Sequence, residues 1–408
     1  MERGHLKMKI LIISQYFFPE DFKVNDIAFD FVKRGHDVTV FTAKPNYPQG
    51  KFYDGYSFFS RKSEIINGVT VIRIPIFPRL DSSGKFLILN YLSFIFFSWI
   101  FKYRVKGNFD IIFSHLPSPL IAAIPAIWFK RKFNAKLYLW VLDLWPESVQ
   151  ANSSLKGGFV IKQLNKVIKR IYENTDTILV PSNAFKESIL EKGISQSKTI
   201  KYFPNWAEDV FVKNIEIDAT LPDLPAGFNI MFAGNIGDSQ DFEAILKAAK
   251  RTENDQINWI LVGDGRKVTW IKTAIAENNL KNVYLLGRFP LKSMPAMFQK
   301  ADAMLVSLKD EPTFALTIPA KVQAYMASGK IILGMFNGEG QTLINESKVG
   351  FAIDAGDFEG LVEIAKKIKQ FSETQKSVME QTSKEFYLKN FEKKYLFDFL
   401  ENDFKTKR

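Results

Sequence analysis

The chain has 408 residues, 46% of them hydrophobic, which is long for one domain and suits two domains of about 200 residues, each with an ordinary core. It has no cysteine and only three scattered histidines, which excludes a disulfide framework and a thiolate metal site and argues against a histidine-rich one. A formal net charge of +11 points to acidic surroundings, whether nucleic acid, an anionic membrane or phosphorylated substrates, without choosing among them.

No secretory signal is legible, because the apolar run at 9–14 has only strand length and leads into charge; the mature chain is expected to begin at or near Met8. M-K-I-L-I-I-S-Q-Y at 8–16 has the continuous apolar character of a parallel strand buried on both faces. The spacing of Val24, Ile27, Ala28, Phe31 and Val32 predicts a helix over 24–34 that Gly35 stops, and D-V-T-V-F-T at 37–42 is the next strand. Strand, helix and strand make a right-handed βαβ unit. The loop S-Q-Y-F-F-P-E-D-F-K-V-N therefore lies at the carboxyl end of the first strand, where open α/β sheets place ligands. His36, between helix stop and strand, reads as structural.

V-T-V-I-R-I-P at 69–75 is another strand. F-L-I-L-N-Y-L-S-F-I-F-F-S-W-I-F at 86–101 is the most apolar stretch in the chain, and K-Y-R-V-K follows it. It falls short of the roughly 20 apolar residues that cross a bilayer, so it reads either as a core helix or as a helix lying in a membrane interface. In the second case Phe86, Tyr91, Phe94, Phe97, Trp99 and Phe101 would enter the headgroup boundary, and Lys102, Arg104 and Lys106 would meet anionic lipid. D-I-I-F-S-H at 110–115 and K-L-Y-L-W-V-L-D at 136–143 are buried strands with polar carboxyl ends, the second running into D-L-W-P-E-S-V. His115, Asp143, Trp145 and Glu147 are expected at one rim of the sheet, although Trp145 and Pro146 suit turn packing as well. T-I-L-V-P-S at 177–182 is the next strand, and I-K-Y-F-P-N-W at 200–206 leads into a polar linker through about 226.

A second series follows: a strand with a glycine-rich exit at 228–237, a helix at 242–249, and strands at 259–265, 283–288, 303–308 and 331–334. Two doubly wound units in series imply a cleft between the carboxyl ends of both sheets. Gly234, Gly237, Gly263 and Gly265 stand at strand exits, where a missing side chain lets a ligand approach the backbone, yet they form neither a G-x-G-x-x-G fingerprint nor a Walker loop. E-P-T-F-A-L-T-I-P at 311–319 then leads into A-K-V-Q-A-Y-M-A, where Val322, Tyr325 and Met326 have helical spacing, Pro319 suits the first turn and Gly329 ends the run. Free amides at that helix start, with the charge of Lys321, have the build of an anion site; the bland alternative is a strand–loop–helix unit with a solvated lysine.

G-H-D-V-T-V at 35–40, F-A-G-N-I-G, L-V-G-D-G and A-Y-M-A-S-G-K together resemble glycosyltransferase family 4, and the resemblance covers nearly the whole chain. It implies an α/β GT-B fold, two Rossmann-like doubly wound parallel-sheet domains facing a central cleft. The expected boundaries are 1–205 for the acceptor-binding domain and 206–385 for the nucleotide-sugar domain, with a helix over 386–408 packing back on the first. S-Q-Y-F-F-P-E, K-P-N-Y-P-Q-G, D-L-W-P-E-S-V and I-P-A-K-V-Q-A-Y-M-A are similar to the WbuB-like subgroup of surface-polysaccharide transferases. The likeness implies retaining transfer of an N-acetylated deoxyhexosamine such as N-acetyl-L-fucosamine, from a UDP-sugar to a polyprenyl-diphosphate-linked saccharide, in O-antigen or capsule assembly. Such an enzyme would sit on the cytoplasmic face of the anionic inner membrane, with no cofactor, no required metal and no nucleic-acid partner.

The resemblance also marks departures. Two glutamates common in the family, eight positions apart, fall on Leu316 and Ala324, and the family's arginine and lysine after the 229–234 strand fall on Asn235 and Gln240. A cation must still meet the charge that grows on the departing phosphate. Lys321 is the first choice, with Arg266, Lys267 and Arg288 behind it. The donor set is Gly234, Asn235, Gly263, Asp264, Gly265, Arg266, Arg288, Thr317, Ile318 and Lys321; the acceptor set is Glu20, Asn46, Trp145 and Glu147. Asp143 or His115 would take the proton of the attacking hydroxyl, unless the leaving phosphate does so itself. A nucleotide-sugar epimerase or dehydrogenase would want G-x-G-x-x-G after the first strand, and S-Q-Y-F-F-P-E contains no glycine. A nucleic-acid-binding protein would want a concentrated basic stripe, whereas the lysines here are dispersed.

Overall fold

A computed structural model describes residues 7–60, 62–80, 84–152, 158–213 and 221–406. The chain divides into two compact units, Met1–Phe203 with Phe397–Arg408, and Pro204–Leu396.

Among its described residues the first unit has an eight-stranded sheet of β1 (Lys9–Ile13), β2 (Asp37–Ala43), β3 (Ser63–Ile66), β4 (Val69–Ile74), β5 (Ile111–Leu116), β6 (Lys136–Val141), β7 (Thr177–Val180) and β8 (Thr199–Tyr202). Their order is β3-β4-β2-β1-β5-β6-β7-β8, parallel throughout except at the β3–β4 edge pair. β1 is central, with Ile10 opposite Val38 on one side and Ile111 on the other, which is why its apolar run is unbroken. Helix α1 (Lys23–Lys33) buries Val24, Ile27, Ala28 and Phe31, and Gly35 ends it at φ +90°. β3 was not expected, although its signal is present: Asn67 and Gly68 at φ +48° and +82° form the two-residue turn that joins tight hairpins.

The carboxyl-terminal stretch packs on this sheet. Phe31 meets the rings of Phe397 and Phe404 at 6.4 and 5.6 Å, Arg34 pairs with Asp398 at 2.6 Å and Glu401 at 2.8 Å, and Tyr138 donates to Asp403 O at 3.1 Å. His36 accepts from Met8 N through Nδ1 and faces Glu401 through Nε2, a packing role.

Helix α2 (Gly84–Phe101) is longer than the run 86–101, and a 3-10 turn (Lys102–Arg104) extends it. Gly84–Arg104 is long and apolar enough to cross a membrane by length and composition alone. Its orientation inverts the usual pattern. The buried residues are Asn90, Tyr91, Ser93, Phe94 and Ser98, whereas Ile88, Leu92, Phe96 and Trp99 are 58%, 52%, 55% and 57% exposed. The expected membrane-facing set is therefore corrected: Tyr91 and Phe94 are core residues, Phe97 is half-buried against Phe58 and Phe77, and the outward stripe is Ile88, Leu92, Phe96 and Trp99.

The second unit has, among its described residues, a six-stranded parallel sheet of β9 (Phe228–Ala233), β10 (Ile257–Val262), β11 (Val283–Gly287), β12 (Ala303–Ser307), β13 (Ile332–Met335) and β14 (Gly350–Ile353), in the order β11-β10-β9-β12-β13-β14. β9, β10 and β12 are buried along their whole length. Two apolar cores flank the sheet, one containing Met231, Tyr325 and Met326 and the other Phe232, Ile245 and Trp259. Side chains alternating along β9 supply both.

Candidate functional site

In the second unit the charge gathers at the carboxyl end of β9. The helix Ala320–Ala327 starts from Pro319, and Lys321 is its second residue. Lys321 Nζ lies 4.3 Å from the centre of the Phe232 ring, where a cation is attracted to the face of the π system. Gly234 makes this possible, because a Cβ there would come within 2.6 Å of Lys321 Cε. One turn further on, the Tyr325 hydroxyl donates to Ala233 O at 3.2 Å and accepts from Ala233 N at 3.1 Å. Glycine and tyrosine together hold the helix start against the end of β9. Burial of the ammonium lowers its pKa to about 8.

The other glycines bring backbones together. A Cβ on Gly263 would lie 1.8 Å from Gly234 O, and one on Gly265 would lie 2.2 Å from Ile236 O. Gly234 N donates to Val262 O, and Ile236 N to Asp264 O, so the exits of β9 and β10 run side by side. The space these residues free is filled by protein atoms, which differs from the open approach read from the sequence. Gly237 N donates to Gln240 Oε1 at 3.1 Å, so the glutamine in the family's lysine position orders this turn. Asp264 accepts from Gly265 N at 2.7 Å. Asn235, Arg266 and Arg288 are exposed at the exits of β9, β10 and β11. Lys267 lies 3.7 Å from Asp238 and over the Trp270 ring. Thr317 donates to Phe314 O at 3.0 Å, and Ile318 is buried in the core beneath. Ala324, in the place of the second family glutamate, is buried.

In the first unit the carboxyl ends of β1, β2 and β4 meet in a polar network. Glu20 is fully buried: its Oε1 accepts from Asn46 N at 2.9 Å and Tyr47 N at 2.8 Å, and its Oε2 from Phe17 N at 3.3 Å. Burial outweighs those bonds and raises its pKa to about 7. Asn46 is buried as well, donating to Lys44 O and accepting from Asn90 of α2. Both residues, expected to touch the acceptor, shape the loops from within.

Sequence reasoning missed Arg79. Its guanidinium lies 5.2, 5.0 and 5.4 Å from the ring centres of Tyr16, Tyr47 and Tyr91, and its Nη2 donates to the Tyr16 and Tyr91 hydroxyls. The three tyrosines lie in different segments, so no local spacing announces the cage. Tyr91 carries it to the next expected residue, since its ring meets that of Trp145 at 6.4 Å. Trp145 Nε1 donates to Asp143 Oδ2 at 3.0 Å, and Ser148 Oγ donates to Asp143 Oδ1. Burial raises the Asp143 pKa above the ordinary carboxylate value, which suits a proton acceptor. Glu147 is paired with Lys192. His115 does not reach this rim: it is buried, with Nδ1 3.1 Å from Ser14 Oγ, and burial lowers its pKa to about 3. So weak a base is unsuited to taking a hydroxyl proton. Among the described residues no three histidine or acidic side chains group as metal ligands would.

Residues 24–207 match the family model described as Glycosyltransferase Family 4, and residues 227–371 match that described as Glycosyl transferases group 1. The chain is 27% identical over 346 residues to the putative colanic acid biosynthesis glycosyl transferase WcaI of Escherichia coli K12, covering 79% of this chain and 82% of that protein. It is 27% identical over 293 residues to the probable glycosyltransferase WbjE of Pseudomonas aeruginosa, covering 69% and 72%. Among solved structures it is similar to Anabaena HepE in complex with UDP, with a TM-score of 0.66 and 14% identity over 98% of this chain and 100% of that one.

Proposed function

We propose that this glycosyltransferase of GT-B fold, whose first unit matches a family 4 model and whose second matches a group 1 model, is a retaining enzyme of surface-polysaccharide assembly. In this reading it moves a sugar from a UDP-sugar to a saccharide carried on a lipid diphosphate. WcaI is named for colanic acid biosynthesis, and HepE was solved with UDP, which supports the class of product and of donor. The resemblance of its motifs to the WbuB-like subgroup makes an N-acetylated deoxyhexosamine such as N-acetyl-L-fucosamine the first donor to try.

The observation that carries the reading is Lys321, held over Phe232 at the start of a helix beside the exit of β9. When the bond from the anomeric carbon to the phosphate oxygen breaks, both electrons stay on that oxygen. Lys321 and the helix amides meet this charge, the task that the family's arginine and lysine would otherwise perform. The acceptor hydroxyl forms the new bond on the same face of the sugar. Its proton passes to the leaving phosphate or to Asp143, whose pKa burial raises. No metal is assigned a part.

In this reading the enzyme sits peripherally on the cytoplasmic face of the membrane, and the outward stripe of α2, with Lys102, Arg104 and Lys106 at its basic end, supports the membrane contact. The test is a panel of UDP-, GDP- and dTDP-sugars, N-acetylated deoxyhexosamines included, offered with a polyprenyl-diphosphate-linked saccharide. Transfer with retained anomeric configuration is expected from a UDP-sugar. Absence of transfer from every donor, or inversion in the product, overturns the corresponding part.

A further inference from the structure

Arg79 stands in a loop fastened on both sides. Asn90 Nδ2 donates to Phe77 O at 2.6 Å and Ser93 Oγ accepts from Phe77 N at 3.1 Å, which ties the loop to the inner face of α2. Beyond the arginine, Leu80 N donates to Gly50 O at 2.9 Å, and a Cβ on Gly50 would lie 2.0 Å from Leu80 O. Leu80 itself is held at φ +47°, a backbone state that leucine rarely adopts and that persists only where the surroundings impose it.

What is held so firmly is a cation. Among the described residues no carboxylate pairs with Arg79. The nearby Glu20 spends both oxygens on backbone amides. Arg79 Nε and Gln15 Oε1 are both buried without a partner, and Gln15 adjoins the cage through Nε2, which donates to Tyr16 OH and Asn90 Oδ1. In the same loop Phe77 and Leu80 are exposed and apolar, and Tyr91 of the cage belongs to α2, whose outer face is Ile88, Leu92, Phe96 and Trp99. A guanidinium fork suits phosphate oxygens, and stacking against rings fixes its plane.

We propose that Arg79, caged by Tyr16, Tyr47 and Tyr91 at the foot of α2, grips the diphosphate of the lipid-linked acceptor. The lipid chain then leaves along the apolar outer stripe of α2. This rests on the reading of the acceptor as a lipid diphosphate.

The experiment measures binding of farnesyl diphosphate by calorimetry, with no vesicles present, to the full chain and to its Arg79→Gln and Arg79→Lys variants. The wild type binds, the glutamine variant binds at least about tenfold more weakly, and lysine, which keeps the charge but loses the fork, falls between. In transfer assays Arg79→Gln raises the acceptor KM by a similar factor, while the donor KM and the turnover at saturating acceptor move far less. Equal binding by wild type and the glutamine variant overturns the assignment. If that variant fails to fold, 15N-arginine labelling of the wild type replaces it: the Arg79 Nε–H signal moves with farnesyl diphosphate and not with farnesol, and no movement overturns the site. Binding to phosphatidylglycerol vesicles is expected to survive in Arg79→Gln; its loss would assign the arginine to bulk lipid instead. Transfer by wild type with an unchanged acceptor KM in Arg79→Gln sinks the site alone. Arg79-dependent diphosphate binding without transfer to any lipid diphosphate sinks the acceptor reading alone.

Discussion

Lys321 occupies the space that a side chain on Gly234 would fill: a Cβ there would stand 2.6 Å from Lys321 Cε and 3.4 Å from its Nζ. The glycine sits at φ +141°, so any substitution meets both backbone strain and the lysine. Gly234→Ala is expected to destabilise the protein by about 1–2 kcal/mol, and to lower kcat by at least about tenfold by pushing the ammonium off the leaving group. Circular dichroism melts and steady-state kinetics on one preparation separate the two effects; unchanged kcat would detach Lys321 from the chemistry.

Burial sets the protonation of that lysine, and the direction can be followed with pH. Its folded pKa of about 8 lies below the free-lysine value, so the useful ammonium form predominates below 8 and is lost as the pH rises through 8. The kcat/KM profile, which reports the free enzyme, is expected to fall on the alkaline side with a midpoint near 8. Lys321→Arg should remove that limb, because guanidinium keeps its proton, and Lys321→Ala should cost about 100-fold in kcat in a folded protein. An alkaline limb that persists unchanged in Lys321→Arg assigns it to another group.

The strands and the helix start that carry these residues were legible because each is strongly patterned. β9, β10 and β12 are continuous apolar runs, and Val322, Tyr325 and Met326 fall on one helical face. What Gly234 makes room for was not legible, since a glycine at a strand exit announces only that a side chain is unwelcome. Arg79 was hidden for a related reason: Tyr16, Tyr47 and Tyr91 converge on it through tertiary contacts alone. The inversion of α2 did leave a trace. Asn90 and Ser93 share one side of an otherwise apolar helix, but a polar side is ordinarily read as the wet one, and here it bonds to the protein.

Glu20 offers a test of stability. Its folded pKa of about 7 is raised by burial above the unfolded value, so the protonated carboxyl favours the fold at low pH. That contribution is complete below the unfolded pKa near 4.5 and is lost as the pH rises to about 7, above which both states are ionised. Glu20→Gln keeps an oxygen for Asn46 N and Tyr47 N and does not titrate. The variant should therefore gain on wild type by up to about 3 kcal/mol between pH 5 and pH 8. Parallel denaturant titrations at the two pH values check this; a constant difference would show that Glu20 titrates normally.

Lys321 and the helix amides are assigned the charge that a divalent ion would otherwise meet. Transfer activity is accordingly expected to persist in excess EDTA. Loss that magnesium alone restores would show that the lysine is insufficient.

The outer face of α2 carries the proposed membrane contact. Ile88, Leu92, Phe96 and Trp99 are each more than half exposed, and their spacing puts them on one side of the helix. Burying such side chains is worth about 1.5–3 kcal/mol apiece when complete. The opposite side is fixed by Asn90 and Ser93 to Gln15, Asn46 and Phe77, bonds that a helix leaving the fold to span the bilayer would have to break. The helix is thus expected to lie in the interface. The protein should pellet with phosphatidylglycerol vesicles and be released in part by high salt, which screens Lys102, Arg104 and Lys106. Because Phe97 is half-buried among Phe58 and Phe77, the informative change is Phe96→Ser with Trp99→Ser, both outward. This double variant should keep its melting temperature within a few degrees and lose at least about tenfold in vesicle affinity. Wild-type affinity in the folded double variant, or no vesicle binding by the wild type, would rule out α2 as the membrane contact.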